Sequence, residues 1–177
     1  MSIRRILAVV ILIAAVSVGF VYLREGEPTW VDRVRYPLHY EQIVRGHARN
    51  YHLDPALVAA VIYQESKFRA DAKSSSGAIG LMQLKPETAE GIAIRTGGTR
   101  FQTSDLYDPE INVRYGSWYL RHLIDKYGTE QRALAAYNGG QGNLDRGVMY
   151  PETRHYVDRV LELRGIYRKA YPSELGQ

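Results

Sequence analysis

The chain has 177 residues, a length for one working domain, and its 24% charged and 45% hydrophobic content is that of a globular protein, not a disordered one. With no cysteine, disulfides, zinc–thiolate sites, thiol nucleophiles and lipid-modified cysteines are excluded. The net charge of +4 is compatible with an anionic polymer as partner, but Lys and Arg are scattered and no run resembles a nucleic-acid arm, so no nucleic-acid partner is expected. At the start, Arg4 and Arg5 precede an uncharged run from Ile6 to Leu23, closed by Arg24, Glu25 and Glu27. As a helix these 18 residues would be about 27 Å long, near the hydrocarbon thickness of a bilayer. The run is read as a transmembrane anchor over 6–23, with residues 1–5 on the cytoplasmic side that flanking arginines favour. Small residues at Ser17 and Gly19 leave a cleaved signal peptide as the alternative. Residues 24–36 read as a linker and 37–177 as the exported working domain.

Helices joined by glycine-rich loops follow. Tyr40, Ile43, Val44, His47 and Tyr51 have helical spacing and predict an amphipathic helix over 38–50. Asp54 and Pro55 form a cap-plus-proline start for a helix that is apolar on every face from Ala56 to Tyr63 and ends in Gln64-Glu65-Ser66. A helix of that kind lies in the middle of its domain. Residues 73–83 read as a loop, and Pro86 opens a helix that ends near Gly97 and Gly98. Asp108-Pro109 repeats the start signal for a helix that runs to Gly128. Ala133 to Tyr137 reads as a short helix stopped at Asn138-Gly139-Gly140, and Pro151 opens the last one. No alternating strand pattern and no fixed-period repeat is present, so the fold class is all-α.

Glu65 stands out on physical grounds. It ends a helix that is hydrophobic all round, and a carboxyl group there is partly desolvated, which raises its pKa. The C-terminal end of a helix also disfavours negative charge. Both effects favour the protonated acid, the form that glycoside cleavage needs at its leaving oxygen. An acidic residue that merely reaches the surface as its helix ends is the simpler alternative. A two-carboxylate glycosidase needs a second Asp or Glu across the sugar, and the candidates are poor: Asp71 lies in the adjoining loop and Asp108 reads as an N-cap.

Several blocks around Glu65 carry a resemblance. They are Glu65-Ser66-Lys-Phe68, Ser74, Gly77-Ala78, Gly80-Leu-Met-Gln83, Pro86-x-Thr88-Ala89, Leu106-x-Asp108-Pro109-x-x-Asn112, Gly116-x-x-Tyr119-Leu120, Ala135-Ala-Tyr137-Asn138-Gly139 and Pro151-Glu-Thr-Arg154-x-Tyr156-Val157. In that order and spacing, over roughly residues 50–165, the chain resembles the catalytic domain of the soluble lytic transglycosylases. The resemblance implies a goose-type, lysozyme-like fold and cleavage of the β-1,4 bond between N-acetylmuramic acid and N-acetylglucosamine in peptidoglycan. It implies Glu65 as the sole catalytic carboxylate, with the substrate's N-acetyl oxygen and C6 hydroxyl as successive nucleophiles, and neither metal nor cofactor. It further implies that Ser66, Ser74, Met82, Gln83, Tyr137, Asn138, Glu152 and Tyr156 bind substrate. Within that set the Tyr156 hydroxyl points at the acid and Glu152 faces the stem peptide, while Gly77 and Gly80 let backbone approach the glycan. Partners are then a peptidoglycan strand and, through the anchor, the inner membrane, with the domain in the periplasm. Gly139 and Gln141 stand where the family usually has alanine and proline, which predicts a looser loop there. A goose-type lysozyme acting with water, or a non-catalytic peptidoglycan-binding scaffold, are the competing readings.

Overall fold

The computed structural model describes residues 3–25, 28–98 and 100–176, and by compactness the chain divides into 1–37 and 38–177. In the first part, α1 (Ile3–Glu25) and α2 (Thr29–Arg35) are helical. The anchor run of 6–23 therefore lies in helical backbone, although the side chains at 15, 18 and 20–27 lie outside the described residues. Among the described residues no helix is long and apolar enough to cross a membrane. The linker of 24–36 is not irregular throughout, since it holds α2, whose Asp32 is buried while Trp30 and Val34 are exposed.

The second part is all-helical among its described residues, apart from isolated bridges of Ile79 with Lys73 and Leu84. Its centre is α4 (Pro55–Ser66), in which every residue from Ala56 to Ile62 is buried. The start is as the sequence predicts: Pro55 occupies the first turn, and the Asp54 carboxylate accepts the Ala56 N–H at 2.9 Å. Around α4 pack α3 (Glu41–Asn50) and α9 (Pro151–Ala170), while α7 (Glu130–Gly139) bridges α9 and α6 (Pro109–Tyr127). α5 (Pro86–Thr96) lies against α6. The expected helix over 38–50 starts later, because Tyr40 at its N-cap is left-handed, with φ 55°. The expected short helix at 133–137 is longer at both ends. Thr129 caps it through the Arg132 N–H, and it continues through Asn138 and Gly139. A 3₁₀ turn (Thr103–Tyr107), α8 (Gln141–Asp145) and α10 (Pro172–Leu175) were not apparent in the sequence.

One buried side chain holds the loop after α4 in place. Asn112 of α6, with no exposure, accepts the Met82 N–H at 2.8 Å and donates to the Ile79 and Leu106 carbonyls at 2.9 and 2.8 Å. Gly80 is packed into the same knot at φ 81°, where a Cβ would come within 2.2 Å of the Leu106 carbonyl oxygen and of the Asn112 amide. Its missing side chain thus serves internal packing, not the approach of a glycan.

Candidate active site

Glu65 lies in the last turn of α4. Beyond it Lys67 and Phe68 are both left-handed, with φ 54° and 60°, and turn the chain away so that the carboxyl group ends at a cleft. Gln83, in the cleft wall, is left-handed as well, with φ 48°. Non-glycine residues pay roughly 1–3 kcal/mol for such geometry, and it persists where surrounding structure enforces it, often at functional sites.

The cleft has two lobes. One, of about 380 Å³, is lined by Glu65, Ser74, Gln83, Tyr119, Tyr137 and Asn138 among others. The second, of about 390 Å³, is lined by Gln64, Asn138, Tyr150, Glu152, His155 and Tyr156 among others. Asn138 and Gly139 belong to both. The Tyr156 hydroxyl donates to Glu65 Oε1 at 2.6 Å, which orients the carboxyl and leaves Oε2 for chemistry. The Tyr137 hydroxyl donates to the Met82 carbonyl at 2.7 Å, and its ring lies 5.5 Å from that of Tyr119.

Burial raises the Glu65 pKa from 4.5 to about 7, against the opposing effects of the Tyr156 hydrogen bond and the Lys67 ammonium. Burial, with the Glu65 charge adding to it, also raises Tyr156 and Tyr137 well above the usual phenol value, so both remain hydrogen-bond donors. The site therefore holds an acid that exchanges its proton near neutrality between two neutral phenols. Because the Tyr156 bond favours the carboxylate, Tyr156→Phe should raise the Glu65 pKa further. The alkaline limb of the pH–rate profile, where the acid loses its proton, should then move to higher pH. A limb that stays in place or moves down would show that Tyr156 does not tune the acid.

Most of the residues named from sequence converge here. Ser74 lines the first lobe, where its hydroxyl accepts the Ala78 N–H at 3.0 Å and meets Ser76 Oγ at 3.0 Å. Gln83 donates through Nε2 to the Gly80 carbonyl at 2.9 Å and the Ala72 carbonyl at 3.2 Å, which leaves its oxygen toward the cleft. Asn138 and Glu152 are exposed at the lobes. Two assignments need correction. The Ser66 side chain is buried and donates to the Ile62 and Leu81 carbonyls, so it ties the loop to α4 instead of binding substrate. The Met82 side chain is fully buried against Gly116 of α6, and only its carbonyl serves the site, as acceptor for Tyr137.

Asp71 and Asp108 line neither lobe, and Asp108 caps α6 through the Ile111 N–H. Nor is the loop at Gly139 loose. A Cβ there would come within 2.9 Å of Thr153 Oγ1, so the small residue follows from tight packing of α7 on α9. Gln141 donates to the Tyr119 hydroxyl at 3.3 Å and accepts from Lys126 at 2.8 Å, while Asn143 donates to the Gly139 carbonyl at 2.7 Å. Sequence reasoning missed Tyr119 as a wall of the first lobe, although it lies seven residues, two turns, after Asn112 on the same face of α6. Among the described residues no group of three or more His, Asp or Glu could hold a metal ion.

The family model described as transglycosylase SLT domain matches residues 42–157. The chain is 34% identical over 125 residues to the transglycosylase of Enterobacteria phage PRD1, covering 71% of this chain and 43% of that protein. It is 34% identical over 149 residues to membrane-bound lytic murein transglycosylase C of Actinobacillus pleuropneumoniae, covering 76% and 40%. The X-ray structure of an inactive mutant of lytic transglycosylase Slt from Pseudomonas aeruginosa superposes with a TM-score of 0.73 at 31% identity, over 77% of this chain and 25% of that one. The chain thus spans less than half the length of each of these proteins.

Proposed function

The chain belongs to the transglycosylase SLT family, and from that membership we propose that it is a peptidoglycan lytic transglycosylase, cleaving the β-1,4 bond from N-acetylmuramic acid to N-acetylglucosamine without water. The observation that carries this reading is the Tyr156-bound Glu65, poised near pH 7 in a cleft whose first lobe has no other carboxylate among the described residues. Protonated Glu65 gives its proton to the leaving glycosidic oxygen while the substrate's N-acetyl oxygen attacks the anomeric carbon. The resulting Glu65 carboxylate then takes the proton of the muramic C6 hydroxyl. That oxygen displaces the N-acetyl oxygen and closes a 1,6-anhydro ring, which returns the acid to its starting form. A C6 hydroxyl held at the anomeric carbon competes with bulk water through its effective molarity, on the order of 10⁵ M or more for a well-oriented group.

Mass spectrometry of the products tests this. Released fragments should end in 1,6-anhydro-N-acetylmuramic acid, be lighter than hydrolysis products by one water, and take up no label from ¹⁸O-water. Label in most new ends would make the enzyme a hydrolase, the goose-type alternative.

The same proposal divides the chain into a cytoplasmic stretch 1–5, an inner-membrane anchor 6–23, a linker 24–36 and a periplasmic catalytic domain 37–177. In its support stand 18 consecutive uncharged residues after Arg4 and Arg5, within a 23-residue helix, and a relative named as membrane-bound. Full-length protein should then stay with inner-membrane vesicles after carbonate extraction. A soluble form whose N-terminus falls between Val18 and Val21 would instead establish a cleaved signal.

A further inference from the structure

We propose that Lys85 makes the cleft selective for glycans that bear a carboxylate on or next to the muramic residue, by pairing with that carboxylate in the first lobe. The inference rests on the proposed reaction and adds a binding contact to it. Among the described residues, Glu65 and Lys85 are the charged ones that line this lobe. Glu65 begins the reaction as a neutral acid, so the Lys85 ammonium is the charge that a substrate meets on entry.

Lys85 makes no ion pair and no hydrogen bond with its side chain among the described residues. Some other cations of the domain are matched, Lys126 with Asp145, Arg159 with Glu162 and Arg164 with Glu130. The acids next along the chain, Glu87 and Glu90, line a separate cavity together with Phe101. Its backbone is held, because the residue before a proline is confined to extended conformations, and Lys85 sits at φ −75°, ψ 141° before Pro86. Ser74, Ser76 and Thr88 line the same lobe with hydroxyls suited to sugar and amide groups. The Lys85 side chain is exposed, so the lobe offers a solvated cation without a protein partner, in a substrate-sized space lined otherwise by neutral groups and Glu65.

The proposed substrate has the other half. N-acetylglucosamine is neutral, whereas N-acetylmuramic acid carries a lactyl ether ending in a carboxyl group. In the wall polymer that carboxyl is joined to a peptide that has carboxylates of its own, and it is free where the peptide has been removed. Both sources offer the same chemistry to Lys85.

Steady-state cleavage by the full-length protein and its Lys85→Gln and Lys85→Arg variants distinguishes them on three substrates. These are sacculi with intact peptides, glycan stripped of peptides by an amidase, and the stripped glycan with its carboxylates converted to methyl amides. Exposed ion pairs are weak, so Lys85→Gln should raise KM about two- to five-fold on a carboxylate-bearing substrate, with kcat little changed. The effect should shrink as salt is added. Lys85→Arg should restore KM, and the amidated glycan should not distinguish the variants. Whether intact or stripped substrate shows the effect identifies the peptide or the lactyl group as its source. Equal KM changes on amidated and charged glycan, or none on either charged substrate, overturn the proposal. Wild-type cleavage of sacculi reads the parent reaction separately: its absence removes both readings, and its presence leaves the variant comparison to judge Lys85 alone.

Discussion

Replacing Glu65 by Gln should lower cleavage of peptidoglycan by about 10²–10⁴-fold, the range that general acid–base catalysis supplies, while glycan binding persists. The amide keeps the shape of the carboxyl, and its oxygen can still accept the Tyr156 hydroxyl that now bonds Oε1 at 2.6 Å. It cannot give or take a proton, and both halves of the reaction need that. Activity within ten-fold of wild type would remove Glu65 as the acid. Stability should change in the opposite direction. With its pKa raised from 4.5 to about 7, the folded protein keeps a proton that the unfolded chain has released between those values. Stability present below pH 4.5 is therefore lost as pH rises through about 7. At 1.36 kcal/mol per pH unit, the loss is about 3 kcal/mol. Gln escapes it, so Glu65→Gln should melt above wild type near pH 8 and close to it near pH 4. Stability given up to hold such an acid ready is the expected pattern for the proposed role of Glu65.

The raised acid is legible in the sequence because its cause is local: a carboxyl at the end of a helix whose other faces are apolar must lose water. Helix starts at Asp54-Pro55 and Asp108-Pro109 were legible for the same reason, since a cap and a proline act within one turn. The late start of α3 depends on a left-handed Tyr40, a residue type with no preference for that geometry. Tertiary contacts also decided what the blocks around Glu65 could not. Ser66 and Met82 are neighbours of cleft residues in sequence, yet their side chains face the core, because α4 and the 73–83 loop each turn one side to the cleft and the other to α6 or to each other. Lys85 gave no sign at all, since a lysine in a cleft and one on an open surface look alike until the neighbours are placed.

Asn112 joins the fold to the chemistry, and its removal should be the most damaging single change outside the cleft. Its amide spans three backbone groups of two segments, Met82, Ile79 and Leu106, with no exposure to water. Asn112→Ala would leave the Met82 N–H and the Leu106 carbonyl without the partners they have, in a site from which solvent is excluded, while the Ile79 carbonyl keeps the Leu84 N–H at 3.0 Å. A buried polar group left unsatisfied costs about 1–3 kcal/mol, so the variant should lose about 2–5 kcal/mol. For a domain of this size that is a fall in Tm on the order of 10 °C. Asn112→Asp separates hydrogen bonding from volume. It has the same shape, but it replaces two N–H donors with an oxygen facing the Ile79 and Leu106 carbonyls and adds a buried charge. It should therefore destabilise at least as much near neutral pH as Ala does. Thermal melts of both variants measure this, and losses under about 1 kcal/mol would show that the knot is not what holds the loop. Activity should follow, because the loop that Asn112 grips carries Gln83 into the cleft and offers the Met82 carbonyl to Tyr137. Well below its melting temperature, Asn112→Ala should show a lower kcat/KM with the Glu65 limb of the pH profile unmoved, since Tyr156 and Lys67, which tune that acid, lie outside the knot.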